Sequence, residues 1–413
     1  MRILFFIAVL AFFGHTALGQ GKAPTKKQAF ENEFRIGIFW PPVWEHTNQA
    51  QYKIIKDAHI NYIQNVLGSQ LDTEERNRKM LELAGKNGLK LFVADPRVNG
   101  SADDIKAMVE CYRKYPATSG YYVVDEPDVK GMDGAAKKYQ TILSFDRQAV
   151  PYVNLLPSWA VPDYDNYVTQ WIEKCGKENL KYLSFDCYPF LLDGTLRNTY
   201  YQNLNVIRKA GLKIGVPTSC YLQSVGIPGS YRRPSEADMR LNVYSCLAYG
   251  IKNLVWFTYW TPTGRGEKFT NAIIDSCGKK TDLYVPFQQL NLRISQLGKT
   301  LINLDALSVY HVGKEVAAGM DALPSDYVLQ PESHNAELLL ADFKEKTVHK
   351  QFVMIVNKSV QFPVSLPFHL KTGTQIREVA HASGDSKKSR YDKRSQTLYV
   401  DLLPGEGKLF EIY

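Results

Sequence analysis

The chain has 413 residues, a formal net charge of +8, 45% hydrophobic residues and 22% charged residues. That is an ordinary globular composition with room for one large domain and a small one. There is no dense basic run and no nucleic-acid motif, so a nucleic-acid partner is excluded. The charge excess reads as a basic surface, or as a mild preference for anionic glycans.

Met1 to Gly19 reads as a leader. Arg2 precedes an apolar run from Ile3 to Phe13, too short to span a bilayer, and Ala17-Leu18-Gly19 is a small-residue cleavage site. No later stretch is apolar enough to span a membrane. The expectation is a secreted or periplasmic protein beginning near Gln20, expected to be a monomer. Residues 20–32 are polar and form a flexible lead-in. The six cysteines, Cys111, Cys175, Cys187, Cys220, Cys246 and Cys277, are scattered and lack metal-ligand spacing. No disulfide framework, metal or cofactor is implied.

Strand-like apolar runs begin near Phe34, Ile60, Leu89, Gly120, Val150, Tyr182, Lys213 and Asn253. The step is about 30 residues, one βα unit. Helix starts are marked at Asp72-Thr73-Glu74-Glu75, Ser101-Ala102-Asp103-Asp104 and Ser235-Glu236-Ala237-Asp238. Gly88, Gly211 and Gly250 stand where helices should stop. Eight strands alternating with helices predict a closed (β/α)8 barrel over residues 33–305, ending in a helix from Phe287 to Leu304. After Asp305 the texture changes to short apolar runs at Glu337–Ala341, Gln351–Val356, Gln375–Ala380 and Leu398–Leu402. They predict a C-terminal all-β sandwich over residues 306–413, with a charged hairpin or loop from Ser383 to Arg394.

In a barrel, the loops after the strands carry the site. The fourth run, Gly120-Tyr121-Tyr122-Val123-Val124, reads as a strand buried on both faces and ends in Asp125-Glu126-Pro127-Asp128. The other strand ends contribute Trp40 and Trp44, then Asp95 and Arg97, then Asn154 and Trp159. Asp186 and Tyr188 follow, then Tyr221 and Gln223, and finally Trp260. Aromatic platforms, amides and paired carboxylates on one rim are what a sugar site needs. Trp40, Glu126, Trp159, Asp186, Tyr221 and Trp260 are expected to line one cavity. Asp95 and Arg97 form either a substrate contact or a loop-fixing ion pair. Asp125 and Asp128, together with the apolar strand, disfavour ionisation of Glu126. Cys220 has no histidine nearby in sequence that would make it a nucleophile.

The acid within Asp125-Glu126-Pro127, the Asp186-x-Tyr188-Pro189 stretch, Leu247-Ala248-Tyr249-Gly250 before an aromatic eighth strand, and the ending Leu403-Pro404-Gly405-Glu406-Gly407 resemble the TIM-barrel glycoside hydrolases of clan A, near the β-galactosidase-like barrels. That resemblance implies an enzyme hydrolysing O-glycosyl bonds of a carbohydrate, with Glu126 as proton donor. It departs at two places. The family's nucleophilic glutamate at the end of strand seven is replaced by Thr218-Ser219-Cys220, and the asparagine before the acid is Asp125. Three mechanisms follow, in order. Asp186 acts as base in an inverting reaction, or Asp125 orients a substrate N-acetyl group, or Asp186 or another rim acid is a nucleophile. A non-catalytic glycan-binding barrel is the alternative. Adjacent acids face one cleft only if the strand is bulged.

Overall fold

The computed structural model describes residues 33–413 except 265, 318, 381–383, 385 and 388. The expected leader and lead-in lie outside the described residues, as does part of the charged loop at Ser383–Arg394. Eight βα units run in order: β1 Arg35–Phe39, α1 Gln49–Asp57, β2 Tyr62–Gln64, α2 Glu74–Lys86, β3 Lys90–Val93, α3 Ala102–Tyr112, β4 Thr118–Asp125, α4 Met132–Phe145, β5 Pro151–Asn154, α5 Tyr164–Cys175, β6 Leu183–Asp186, α6 Tyr200–Ile214, β7 Thr218–Gln223, α7 Glu236–Ala248, β8 Asn253–Phe257 and α8 Tyr284–Leu301. The strands are parallel in the order β5-β4-β3-β2-β1-β8-β7-β6. A bridge between Leu155 and Phe185 closes the ring, and the Leu155 amide donates to the Ser184 carbonyl at 2.9 Å. The fold is a (β/α)8 barrel followed by an all-β domain.

The expected helix starts hold. Thr73 accepts from the Arg76 amide, and Ser101 and Ser235 each form a reciprocal cap with the aspartate three residues on. Ser101→Ala should therefore cost about 1 kcal/mol, read as a small drop in unfolding temperature with activity unchanged. Two boundaries differ from expectation. Lys213 lies inside α6, because the left-handed Gly215 and not Gly211 ends that helix, so β7 starts at Thr218. The last barrel helix is Tyr284–Leu301.

The barrel interior is filled by rings. Phe39, Tyr62, Phe92, Tyr122, Tyr152, Tyr182 and Tyr221 form one buried cluster inside the strands. Two of their hydroxyls are anchored locally; Tyr62 donates to Asn253 at 2.6 Å, and Tyr182 donates to the Pro151 carbonyl at 3.0 Å. Such rings add geometry-dependent attraction to their large buried area.

The C-terminal domain has a seven-stranded and a four-stranded sheet. Its first strand, Leu304–Val312, straddles the boundary expected at 305/306. On Leu338–Glu345, alternation sends Leu339 and Ala341 to the barrel-side core and Leu338 and Leu340 to the sandwich core. That explains the unbroken apolar run read in the sequence. Among the described residues no helix is long and apolar enough to cross a membrane.

Candidate active site

A cavity of about 310 Å³ opens at the carboxyl end of the barrel strands. Its wall includes Trp40, Asp125, Glu126, Trp159, Asp186, Tyr188, Tyr231, Phe257 and Phe269.

Strand β4 is built irregularly to reach it. The register against β5 slips at Val123, so Tyr122 faces Tyr152 but Val124 faces Val153. Glu126 then takes φ +47°, a left-handed conformation uncommon for a residue with a side chain. Its amide still donates to the Asn154 carbonyl at 2.9 Å. The bulge and the turn together bring consecutive acids to one cavity, where a regular strand would point them apart. Tyr167 fixes the turn from behind. Its hydroxyl donates to the Pro127 carbonyl at 2.7 Å and accepts from the Leu156 amide at 3.1 Å. Trp40, also on the cavity wall, is likewise left-handed at φ +65°. Strained residues of this kind collect at functional sites.

The carboxyls interact directly. Asp186 is 8% exposed and in hydrogen-bonding contact with Glu126. Burial first, and then the charges of Glu126 and Asp125, push the Asp186 carboxyl well above the usual carboxylate range. Asn154 Nδ2 donates to Asp186 Oδ1 at 3.2 Å, and Asn154 is itself held by the Ser184 hydroxyl at 3.1 Å. The Tyr188 hydroxyl also meets Asp186. Asp125 is open to the cavity yet ringed by protein atoms. That surrounding first, and the Glu126 charge second, raise its pKa to about 7, while Asn154 partly opposes the rise. In the structure burial raises both Asp125 and Asp186.

The sign of the resulting pH dependence follows. Both aspartates bind protons more tightly folded than unfolded. Their contribution to stability is fully present below the unfolded carboxylate pKa of about 3.9 and is lost as pH rises through the folded values, about 7 for Asp125. Asp186→Asn mimics the protonated acid. Its unfolding temperature should fall less between pH 5 and 8 than that of the parent, and at pH 8 it should exceed the parent's. Parallel curves would mean that Asp186 is ionised in the fold.

Apart from Trp159, the remaining sequence-derived residues do not line the cavity. Asn154 lies beneath it and positions acids. Tyr221 is inside the barrel, edge-on to Phe39 with ring centroids 5.5 Å apart. Gln223 is buried; it accepts from the Phe190 amide at 3.0 Å and donates to the Arg232 carbonyl at 2.9 Å, tying two loops together. Trp260 is buried against His46, because its backbone turns back to pair with Ile274. Trp44 packs under the Arg76 guanidinium, 4.9 Å from the ring centroid. Asp95 is an ion-paired loop anchor. Burial would raise its pKa, but hydrogen bonds from Arg97 and Tyr112 outweigh that and hold it low. Trp159 stands at the mouth, 54% exposed, with the Arg197 guanidinium 5.1 Å from its ring centroid. Sequence reasoning missed Tyr231 and Phe269, which come from the long loops after β7 and β8 and carry no local motif. Phe257 and Thr258 were within reach, in the aromatic end of β8.

No family model matches the chain, and no curated protein matches it in sequence. Solved structures do match in fold. The β-galactosidase of Bacillus circulans sp. alkalophilus gives a TM-score of 0.65 at 11% identity, covering 92% of this chain and 99% of that one. A family 5 glycoside hydrolase from Bacteroides vulgatus gives 0.57 at 13% identity, covering 92% and 88%. The β-galactosidase of Marinomonas ef1 gives 0.54 at 10% identity over 66% of this chain, which spans only 62% of that enzyme's length. The architecture of this protein, an eight-stranded parallel barrel with a C-terminal β domain, is thus a fold shared with these solved structures.

Proposed function

We propose that the protein hydrolyses O-glycosidic bonds of a carbohydrate, with Glu126 as the proton donor. The observation that carries this reading is the convergence of Asp125, Glu126 and Asp186 in one aromatic-walled cavity at the carboxyl end of the barrel. Protonating a leaving oxygen near neutral pH needs a carboxyl that still holds its proton. Asp186, a buried acid whose pKa is raised, lies in contact with the accessible Glu126. Trp40 and Trp159 offer apolar faces for sugar C–H surfaces.

Geometry argues against Asp186 as the base of an inverting reaction. Inverting carboxyls stand about 6.5–9.5 Å apart to admit a water molecule, and a hydrogen-bonded pair leaves no such room. Asp186 is instead the buried partner of Glu126, and Asn154 and Tyr188 position it. The leader expected at residues 1–19 would place the activity outside the cytoplasm. The test is a panel of glycans incubated with the protein and with Glu126→Gln. Release of sugar by the first and not the second supports the reading. Glycan binding with no release from any member would make the protein a carbohydrate-binding barrel.

A further inference from the structure

We infer, on the reading that this site cleaves glycosidic bonds, that its substrate carries a 2-acetamido group trans to the scissile bond, and that this group is the nucleophile. A glycosidase that uses two carboxylates sets the second one across the sugar from the acid. The end of β7 offers Tyr221, Leu222 and Gln223, all buried, with the Gln223 amide bonded to backbone. Asp186 is in contact with the acid itself and cannot sit across a sugar from it. Glu267, the fourth acid on the wall, lies on the exposed part of the loop after β8. What the strand provides instead is an acid beside the donor. The bulge at Val123 and the left-handed Glu126 turn Asp125 into the cavity, where Asn154 holds it. A carboxylate next to the proton donor is placed to accept an amide N–H and so press the amide carbonyl oxygen toward the anomeric carbon. With a pKa of about 7, Asp125 can take up that proton and return it.

The chemistry balances without a protein nucleophile. The acetamido oxygen forms a bond to C1 as the C1–O bond to the leaving group breaks. The leaving oxygen takes the Glu126 proton, and the amide N–H proton passes to Asp125, giving an oxazoline. Water then adds to C1 and gives its proton to Glu126, the C1–oxazoline bond breaks, and Asp125 returns the N–H proton. Attack from the rear requires the trans arrangement, as in β-linked 2-acetamido-2-deoxyglucosides and galactosides, and configuration at C1 is retained.

The experiment uses the whole chain. 4-Nitrophenyl β-glycosides bearing 2-acetamido or 2-hydroxyl groups are compared, with N-fluoroacetyl, difluoroacetyl and trifluoroacetyl analogues of the former and the 1,2-fused thiazoline of the acetamido sugar as a calorimetric probe. The inference expects the acetamido sugar to be turned over at least about 10²-fold faster than the hydroxyl sugar. It expects kcat to fall steeply with each fluorine, because the amide oxygen becomes a weaker nucleophile, and it expects thiazoline binding that Asp125→Asn weakens. A structural role for Asp125 would leave the fluorine dependence unmoved. Turnover of 2-hydroxyl sugars with the acetamido sugars refused, or a flat fluorine series, overturns the inference and leaves the glycosidase reading standing. Neither turnover nor thiazoline binding overturns both.

Discussion

Glu126→Gln is expected to slow hydrolysis of an active natural glycan by roughly 10²-fold or more, since general acid catalysis typically contributes 10²–10⁴. The substitution keeps the shape of the side chain and removes the proton. Sugar binding should survive, because Trp40, Trp159 and Tyr188 are untouched. An aryl glycoside with a good leaving group needs little protonation and should lose much less in bond cleavage. Measuring kcat and KM on both substrates separates the cases. Equal losses on both would indicate a damaged site, and unchanged turnover on the natural glycan would remove Glu126 from the mechanism.

The barrel could be read from the sequence because every unit announces itself by an apolar run, and several by a capped helix start as well. Gly88 and Gly250 stop their helices with φ of +63° and +78°, as their positions suggested. The error at β7 has a local cause. Leu212-Lys213-Ile214 is apolar enough to pass for a strand but continues α6 to Gly215. The acids were found because a buried strand ending in three carboxylates is a conflict between burial and charge. The direction of the other rim residues was not written locally. Position at a strand end fixes height along the barrel, whereas facing depends on strand parity, bulges and the path of the next loop. Tyr221 therefore fell inside the barrel, Trp260 behind the wall and Asp95 into an ion pair. The bulge at Val123, which makes Asp125 and Glu126 neighbours in one cavity, leaves no trace in the residue types around it.

A second large effect belongs to Gly120, at the third position of β4. A Cβ built there would lie 1.9 Å from the Val150 carbonyl oxygen and 2.8 Å from a Phe92 ring carbon. The first obstacle is backbone, and that same carbonyl accepts from the Tyr121 amide at 3.0 Å, so no rotamer change relieves it. Gly120→Ala must push β4 away from the start of β5, and a tightly packed interior resists such shifts. The cost should reach or exceed the roughly 1–3 kcal/mol typical of overpacking. The internal control is Gly134, within α4, where an added Cβ meets nothing within 4 Å. There the same substitution restores helix propensity and should stabilise by about 0.5–1 kcal/mol. One chemical change at two glycines should thus move the unfolding temperature in opposite directions. The Gly120 variant should also lose activity beyond its loss of stability. The displaced strand carries Asp125 and ends at Glu126, and both depend on pairing with Asn154 for their place in the cavity. If Gly120→Ala unfolds at the parent temperature with full activity, β4 and β5 are not held as closely as the register requires.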